Sequence, residues 1–224
     1  MSADNPRLDP AESTQLDIDR VSAVLVESAR ALPSATLHEA AGKRGALPAA
    51  IKPVAPGFKV CGAAVTVHAP GGDNLWLHRA IYAAQPGDVL VVSVGDAYEY
   101  GYWGEVMSTA SQVRQLGGLV IDGCVRDRVL LEQIGFPVFA RGLAIQGTGK
   151  DFGARGWINA PTRVGNTTVH AGDLIVGDED GVVCVARQQA ALAIDAGHAR
   201  EAAEADQLRR LKAGETTLGI FGWQ

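Results

Sequence analysis

Cysteine is scarce in this chain, and what there is lies far apart: Cys61, Cys124 and Cys184, with no CxxC pair. That excludes a zinc ribbon and a thioredoxin-like redox motif. An odd count without a signal peptide reads as a reducing cytosol, with all three as small core residues on apolar strands. Long apolar runs are also missing. None approaches 18 residues, so no membrane span is expected. The opening MSADNPRLDPAEST lacks the basic and then apolar layout of a signal peptide. Positive charge is in deficit, 20 Lys+Arg against 25 Asp+Glu, for a net charge of −5. Nucleic acid needs a basic footprint, so this balance argues against it as the main partner.

Several catalytic signatures are absent as well. No G-x-G-x-x-G follows a strand, and no G-x-S-x-G elbow is present. Gln146-Gly-Thr-Gly-Lys150 has Ala144 and Asp151 where a Walker loop needs Gly and Ser/Thr. The five histidines form no H-x-H or H-x-x-x-H pair, so a His-rich metal site would need distant partners. The five lysines avoid the apolar strand runs, where a Schiff-base lysine with a lowered pKa would sit.

What remains is a globular chain of 224 residues with 47% hydrophobic residues. A chain of this size can bury roughly 70% of its unfolded surface and needs no covalent staple. Glycine is frequent, 27 residues, about 12% against a usual ~7%, as expected for many tight turns between short strands. The pattern predicts a single domain over 1–224. It starts with a polar loose arm over 1–14. Apolar positions at 3–4 spacing predict a helix over 16–32, ended by Pro33. Thr36-Leu37-His38-Glu39 reads as a capping box that opens a second helix.

Strands are expected at 58–68, 89–94, 119–121 and 137–140, with helices at 74–84, 104–116 and 127–134 between them. Val89–Val94 is continuously apolar, as in a strand buried on both faces. Strand and helix alternating with short links predict an α/β fold with a parallel βαβαβ core. Residues 160–186 read as a small mixed β region. Residues 187–213, rich in alanine with interleaved charge, read as a long C-terminal helix stopped by Gly214.

Two stretches carry candidate chemistry. In Val120-Ile-Asp-Gly-Cys-Val-Arg-Asp127 a buried strand ends, Gly123 permits a bend, and Arg126-Asp127 open the next helix. Ligands of parallel sheets bind beyond the carboxyl ends of the strands, and a helix N-terminus there favours anions. Arg126 can clamp a carboxylate. Asp127 can hold a divalent cation through one oxygen or serve as a plain N-cap. In Gly101-Tyr-Trp-Gly-Glu-Val-Met-Ser108 the backbone amides after Gly104 could cradle a second anionic group, with Glu105 in the first turn.

The ordered motifs G-D-N-L (72–75), P-G-D-V-L-V-V (86–92), Y-W-G-E-V-M (102–107), G-G-L-V-I-D-G-C-V-R-D (117–127), G-F-P-V-F-A (135–140) and A-G-D-L-I-V-G-D-E-D-G-V-V (171–183) are similar to one family. It is that of the 4-hydroxy-4-methyl-2-oxoglutarate / 4-carboxy-4-hydroxy-2-oxoadipate aldolases. The regulator of ribonuclease E activity A shares its fold. The resemblance runs over roughly 30–220. It implies a layered αββα-type domain and class II aldolase chemistry on pyruvate-derived oxo acids, with Mg²⁺ or Mn²⁺ as cofactor and possible oxaloacetate decarboxylation.

Carried over residue by residue, the resemblance makes Asp127 the metal ligand and Arg126 a binder of substrate oxygens. Gly104, Glu105, Val106 and Met107 present amides to the pyruvyl carboxylate. Glu105 also orders water, as does Glu39, whose rival role is the capping box. An acidic residue of the terminal helix, Glu204 or else Glu201, reaches a neighbouring subunit's site. The resemblance further implies a homotrimer or homohexamer with the site at a subunit interface; the cytoplasmic location expected rests on the cysteine usage and the missing signal peptide. The other reading is a non-enzymatic protein regulator of ribonuclease E. Those regulators typically lack the Asp after the Arg and have a short terminal helix or none. A menaquinone methyltransferase would need a glycine-rich S-adenosylmethionine loop, which is absent. The bulky Tyr98–Trp103 run departs from the family pattern and could reshape the pocket.

Overall fold

The computed structural model describes residues 9–223. Its strands are β1 (Lys52–Pro53), β2 (Val60–His68), β3 (Val89–Ser93), β4 (Gly118–Asp122), β5 (Cys124–Val125), β6 (Val138–Ala140), β7 (Gly142–Leu143), β8 (Trp157–Ile158), β9 (Thr162–Val164), β10 (Thr167–Val169), β11 (Leu174–Asp178) and β12 (Gly181–Val185). The α-helices are α1 (Ala23–Ala29), α2 (Ser34–Ala40), α3 (Leu75–Ala83), α4 (Glu105–Val113), α5 (Arg128–Ile134), α6 (Ala190–Lys212) and α7 (Thr217–Phe221).

The expected parallel core is present. β2, β3, β4 and β6 lie side by side in parallel, and α3, α4 and α5 make the crossovers. All five residues of β3 are buried, because strands lie on both sides and side chains pack on both faces. The last hairpin does not stand apart as a small β region. β11 pairs antiparallel with β2, and β12 follows it, so both extend the main sheet. At the other edge β1 pairs antiparallel with β6. The two ends then nearly meet, since the Leu47 N–H donates to Val182 O at 2.9 Å and the Cys184 N–H to Gly45 O at 2.8 Å. Near-closure leaves few open strand edges. One apolar core fills the sheet and the α3–α5 side, and a second joins β2, β11 and β12 to α1, α2 and α6.

Three local expectations are corrected. The first helix occupies only Ala23–Ala29, because residues 16–22 are held extended by tertiary contacts. Val21 N–H donates to Gly172 O at 2.9 Å, Arg20 pairs with Asp88, and the Ser22 hydroxyl then caps Leu25 N–H. The capping box at Thr36 does not form. α2 begins two residues earlier, after Pro33, and Asp178 takes the Ser34 N–H at 2.7 Å and its hydroxyl at 2.6 Å. Thr36 lies inside the helix and donates to Glu201 at 3.0 Å. Third, of the loose arm expected over 1–14, residues 1–8 lie outside the described residues, and its end is held by a parallel bridge between Thr14 and Ile158.

The long terminal helix is present, and its first two turns bury Ala190, Ala193, Ile194 and Gly197 while the rest projects. Among the described residues no helix is long and apolar enough to cross a membrane. Cys61 and Cys184 are buried as expected, and burial pushes the Cys61 thiol up to about 11. Cys124 is only half-buried.

The Pro86-Gly87-Asp88 turn carries a structural ion pair. Asp88, 3% exposed, accepts both Arg20 Nε and Nη2 at 2.9 Å and the Gln85 N–H at 2.8 Å. Asp88→Ala leaves Arg20 without its partner and is expected to cost about 2–4 kcal/mol, read as a lower urea midpoint at unchanged slope.

Candidate active-site cleft

The cleft lies beyond the carboxyl ends of the parallel strands. The chain leaving β2 reaches Asn74, the chain leaving β3 reaches Gly104, and the chain leaving β4 passes through β5 to Arg126 and Asp127. Each of these points is the start of a helix, α3, α4 or α5. Backbone bonds tie the loops together. Arg126 N–H donates to Trp103 O at 2.9 Å, and Cys124 N–H donates to Tyr98 O at 2.8 Å.

Asp127 is the key side chain. It stands at the N-cap position of α5 but makes no capping bond with its side chain. Its backbone is left-handed, φ 64° and ψ 32°, a conformation Asp tolerates better than most residues. The carboxylate turns instead to the neighbouring helix, where Oδ2 accepts the Glu105 N–H at 3.1 Å. Arg126 Nε lies 3.7 Å from the same oxygen. Oδ1 accepts no hydrogen bond among the described residues. The plain N-cap reading of Asp127 therefore does not hold.

Glycine is required where α4 meets Asp127. A Cβ on Gly104 would stand 2.2 Å from Asp127 Oδ2 and 3.3 Å from Arg126 Cγ. Gly104→Ala is expected to push the carboxylate away while leaving the core intact. Activity should fall about 100-fold or more, with a melting temperature within a few degrees of the parent. Gly101 is similarly constrained, since its Cβ would meet Ala144 O at 2.7 Å and Arg126 Cδ at 3.1 Å.

Gly104, Glu105, Val106, Met107, Arg126 and Asp127 all line one cleft. Val106 projects into solvent and Met107 is buried, so from these two positions mainly the amides of the first α4 turn are offered to a ligand. Glu39 and Glu204 do not line the cleft of their own chain. They sit on the α2–α6 seam, joined by Arg200: its Nε is 2.8 Å from Glu204, and its Nη1 is 3.9 Å from Glu39. Lys43 adds a contact to Glu39 at 3.7 Å. Glu201, the alternative to Glu204, accepts the Thr36 hydroxyl.

The aromatic run beside the cleft is mostly scaffold. Trp103 is buried, donates from Nε1 to Ser108 Oγ at 2.7 Å and stacks on Phe136. Tyr102 donates its hydroxyl to Ala97 O at 2.6 Å and accepts the Gly72 N–H at 2.8 Å, and burial raises its pKa.

Sequence reasoning missed five cleft residues: Asn74, His78, Gly147, Thr148 and Lys150. Asn74 is buried, and its amide donates to Tyr102 O at 2.8 Å while accepting from Lys150 Nζ at 2.5 Å. Asn74 is part of the G-D-N-L motif, and His78 follows it one helical turn later. Lys150 ends the segment set aside for failing the Walker pattern.

The donor set around Asp127 suits a hard divalent cation. One carboxylate with a free oxygen can hold Mg²⁺ or Mn²⁺ when water and substrate oxygens complete the shell. Among the described residues no three His, Cys, Asp or Glu side chains gather.

Helix N-termini, one arginine and one accessible carboxylate gather in a cleft at the open end of the parallel sheet of an α/β protein. The chain belongs to the RraA-like family, Aldolase/RraA, whose model matches residues 23–184. It is 34% identical over 160 residues to a protein of Halalkalibacterium halodurans named "Putative 4-hydroxy-4-methyl-2-oxoglutarate aldolase" (71% of this chain, 75% of the other). Among solved structures, an uncharacterized protein of Pseudomonas syringae pv. tomato superposes with a TM-score of 0.78 at 26% identity, covering 89% of this chain and 93% of the other. Streptomyces coelicolor RraAS2, described as an unusual member of the RNase ES inhibitor RraA family, gives 0.72 at 27% identity, covering 85% and 100%.

Proposed function

We propose that the protein is a divalent-metal-dependent lyase. It would cleave a 4-hydroxy-2-oxo di- or tricarboxylic acid to pyruvate and a second oxo acid. The observation that carries this reading is the Asp127 carboxylate, turned away from its own helix and left with a free oxygen beside Arg126 and the α4 N-terminus.

Asp127 would hold the cation. Bound there, Mg²⁺ or Mn²⁺ supplies a Lewis acid for the 2-oxo group and its carboxylate. The amides of Val106 and Met107 bind the substrate's C1 carboxylate, and Arg126 faces the oxygen at C2. Cleavage removes the proton of the C4 hydroxyl, breaks C3–C4 and leaves the electron pair in the enolate of pyruvate. The C4 carbon becomes the carbonyl of the second product. Arg126 stabilises the charge that grows on the C2 oxygen. Glu105, in the first turn of α4, orders the water that carries the proton between the C4 hydroxyl and C3. Oxaloacetate could pass through the same enolate by losing CO₂, as a side reaction. Glu39 and Glu204, gathered by Arg200, are read as the set offered to a neighbouring subunit's cleft in a trimer or hexamer. The α6 half that projects from its own domain supports that assembly. A cytoplasmic location goes with this reading.

Enolate formation is testable without the natural substrate. Incubated with pyruvate in D₂O, the Mg²⁺-supplied protein is expected to exchange the C3 methyl protons, followed by proton NMR. No exchange above the metal-only rate would overturn the reading. The likeness to RraAS2 favours a second reading, a protein regulator of a ribonuclease E-type enzyme. Inhibition of RNA cleavage by the purified protein, without enolate exchange, would select it.

A further inference from the structure

We propose that Tyr102 is a positioning residue of the cleft: its buried hydroxyl ties together the loops that carry the site and fixes how the α4 amides stand to Arg126 and Asp127. The assignment rests on the reading above, in which those amides take the pyruvyl carboxylate while Arg126 and Asp127 serve the C2 oxygen.

Three loops leave the carboxyl ends of β2, β3 and β4, and Tyr102 is bonded to all of them. Its hydroxyl donates to Ala97 O at 2.6 Å, earlier in its own loop, and accepts the Gly72 N–H at 2.8 Å from the loop after β2. Its carbonyl accepts the Asn74 amide at 2.8 Å, where α3 starts. Its N–H is shared between Tyr100 O at 2.9 Å and Cys124 O at 3.1 Å, and Cys124 lies on the chain leading from β4 to Arg126. The residue is fully buried. Burial raises its pKa, so the hydroxyl keeps its proton and remains a donor to Ala97 O.

The next two residues touch the chemistry. Trp103 O takes the Arg126 N–H at 2.9 Å, and Gly104 abuts Asp127 so closely that a Cβ there would stand 2.2 Å from Oδ2. A slip of the 101–104 segment therefore moves the first turn of α4 against Arg126 and Asp127. Neither Ala97 nor Gly72 lines the cleft, so the hydroxyl acts through the loops and not on the substrate. Both are only half-buried, and water can replace the lost partner at each. Loss of the hydroxyl should thus fall on rate more than on stability, because a misplacement of about 1 Å can cost about 10²-fold.

The test is Tyr102→Phe, which keeps the ring and removes both hydroxyl bonds. Exchange of the C3 protons of pyruvate in D₂O by the full chain with Mg²⁺ is followed over a range of pyruvate concentrations. The maximal rate is expected to fall about 30–100-fold with KM changed less than threefold, since the amides still meet the carboxylate while the groups at C2 are misaligned. Gly123→Ala keeps the hydroxyl but presses a Cβ to 3.3 Å from Cδ2 of the Tyr102 ring, and it should lower the maximal rate about 3–10-fold. Asp88→Ala is the control for general destabilisation. Asp88 precedes β3 at the amino end of the parallel sheet, away from the cleft, so both constants should stay within twofold while the melting temperature falls. A maximal rate within threefold of the parent in Tyr102→Phe, a rise in KM alone, or an equal loss in Asp88→Ala overturns the positioning role and leaves the enolate reading standing. Should Tyr102→Phe not fold, an unaffected Gly123→Ala overturns it. No exchange by the unsubstituted protein overturns the enolate reading, and the role of Tyr102 with it.

Discussion

Asp127→Asn is expected to lower metal-dependent pyruvate release at least a thousandfold while the fold persists. Asparagine tolerates the left-handed backbone that Asp127 adopts, and its carbonyl can still accept the Glu105 N–H. No capping bond to α5 is lost, since none is made. The stability change should therefore stay within about 1 kcal/mol. What disappears is the negative charge and with it the anchor for a cation. Turnover and denaturant midpoint separate the outcomes. A normal midpoint with lost turnover places the carboxylate in the chemistry. A collapsed midpoint would make Asp127 a structural residue, and undiminished turnover would remove it from the mechanism.

Arg126→Ala is expected to lower kcat/KM by about 10²–10³-fold, the usual effect of deleting one donor to a developing oxyanion. The guanidinium is about half exposed, and its only ion-pair contact among the described residues is Asp127. Its removal should leave the melting temperature nearly unchanged. If Arg126 acts mainly on the enolate-like transition state, kcat falls as much as kcat/KM. If it only binds the ground state, KM rises alone. Arg126→Lys should recover part of the loss, because the charge returns without the planar fork. An unchanged kcat/KM in Arg126→Ala would take this residue out of the site.

Much of the framework was legible because strong local patterns agree with the tertiary structure. The apolar run at 89–94 and the helices between the strands give the parallel core directly, and Arg126-Asp127 fall at the edge where such sheets bind ligands. Failures arose where distant partners decide local structure. Ile18 and Val21 have helical spacing, but Gly172 and Asp88 hold that segment extended. Thr36 looks like a cap, but Asp178, far along the chain, caps the helix two residues earlier. β11 and β12 read as a separate small region because nothing local indicates pairing with β2.

At the site the same division holds. The 104–107 and 126–127 groups are short, contiguous motifs at helix starts, and they converge. Lys150 arrives on a loop whose course depends on the Asp73 carboxylate and the Gly72 carbonyl. The side chain of Asp127 could not be oriented from sequence, since an N-cap and a cation ligand have the same pattern at that position. Arg200 and Glu204 stand at i,i+4 on α6, a spacing visible in sequence, but the reach of Arg200 across to Glu39 on α2 has no sequence signature.

The most direct measurement of the central claim is pyruvate release from 4-hydroxy-4-methyl-2-oxoglutarate, with oxaloacetate in parallel, coupled to lactate dehydrogenase and NADH. Chelator-treated protein is compared with the same protein given Mg²⁺ or Mn²⁺, against a metal-only blank. The expected result is release that chelation abolishes, either cation restores and Asp127→Asn lacks. Release that survives chelation, or none from either compound by a folded protein supplied with metal, would contradict it.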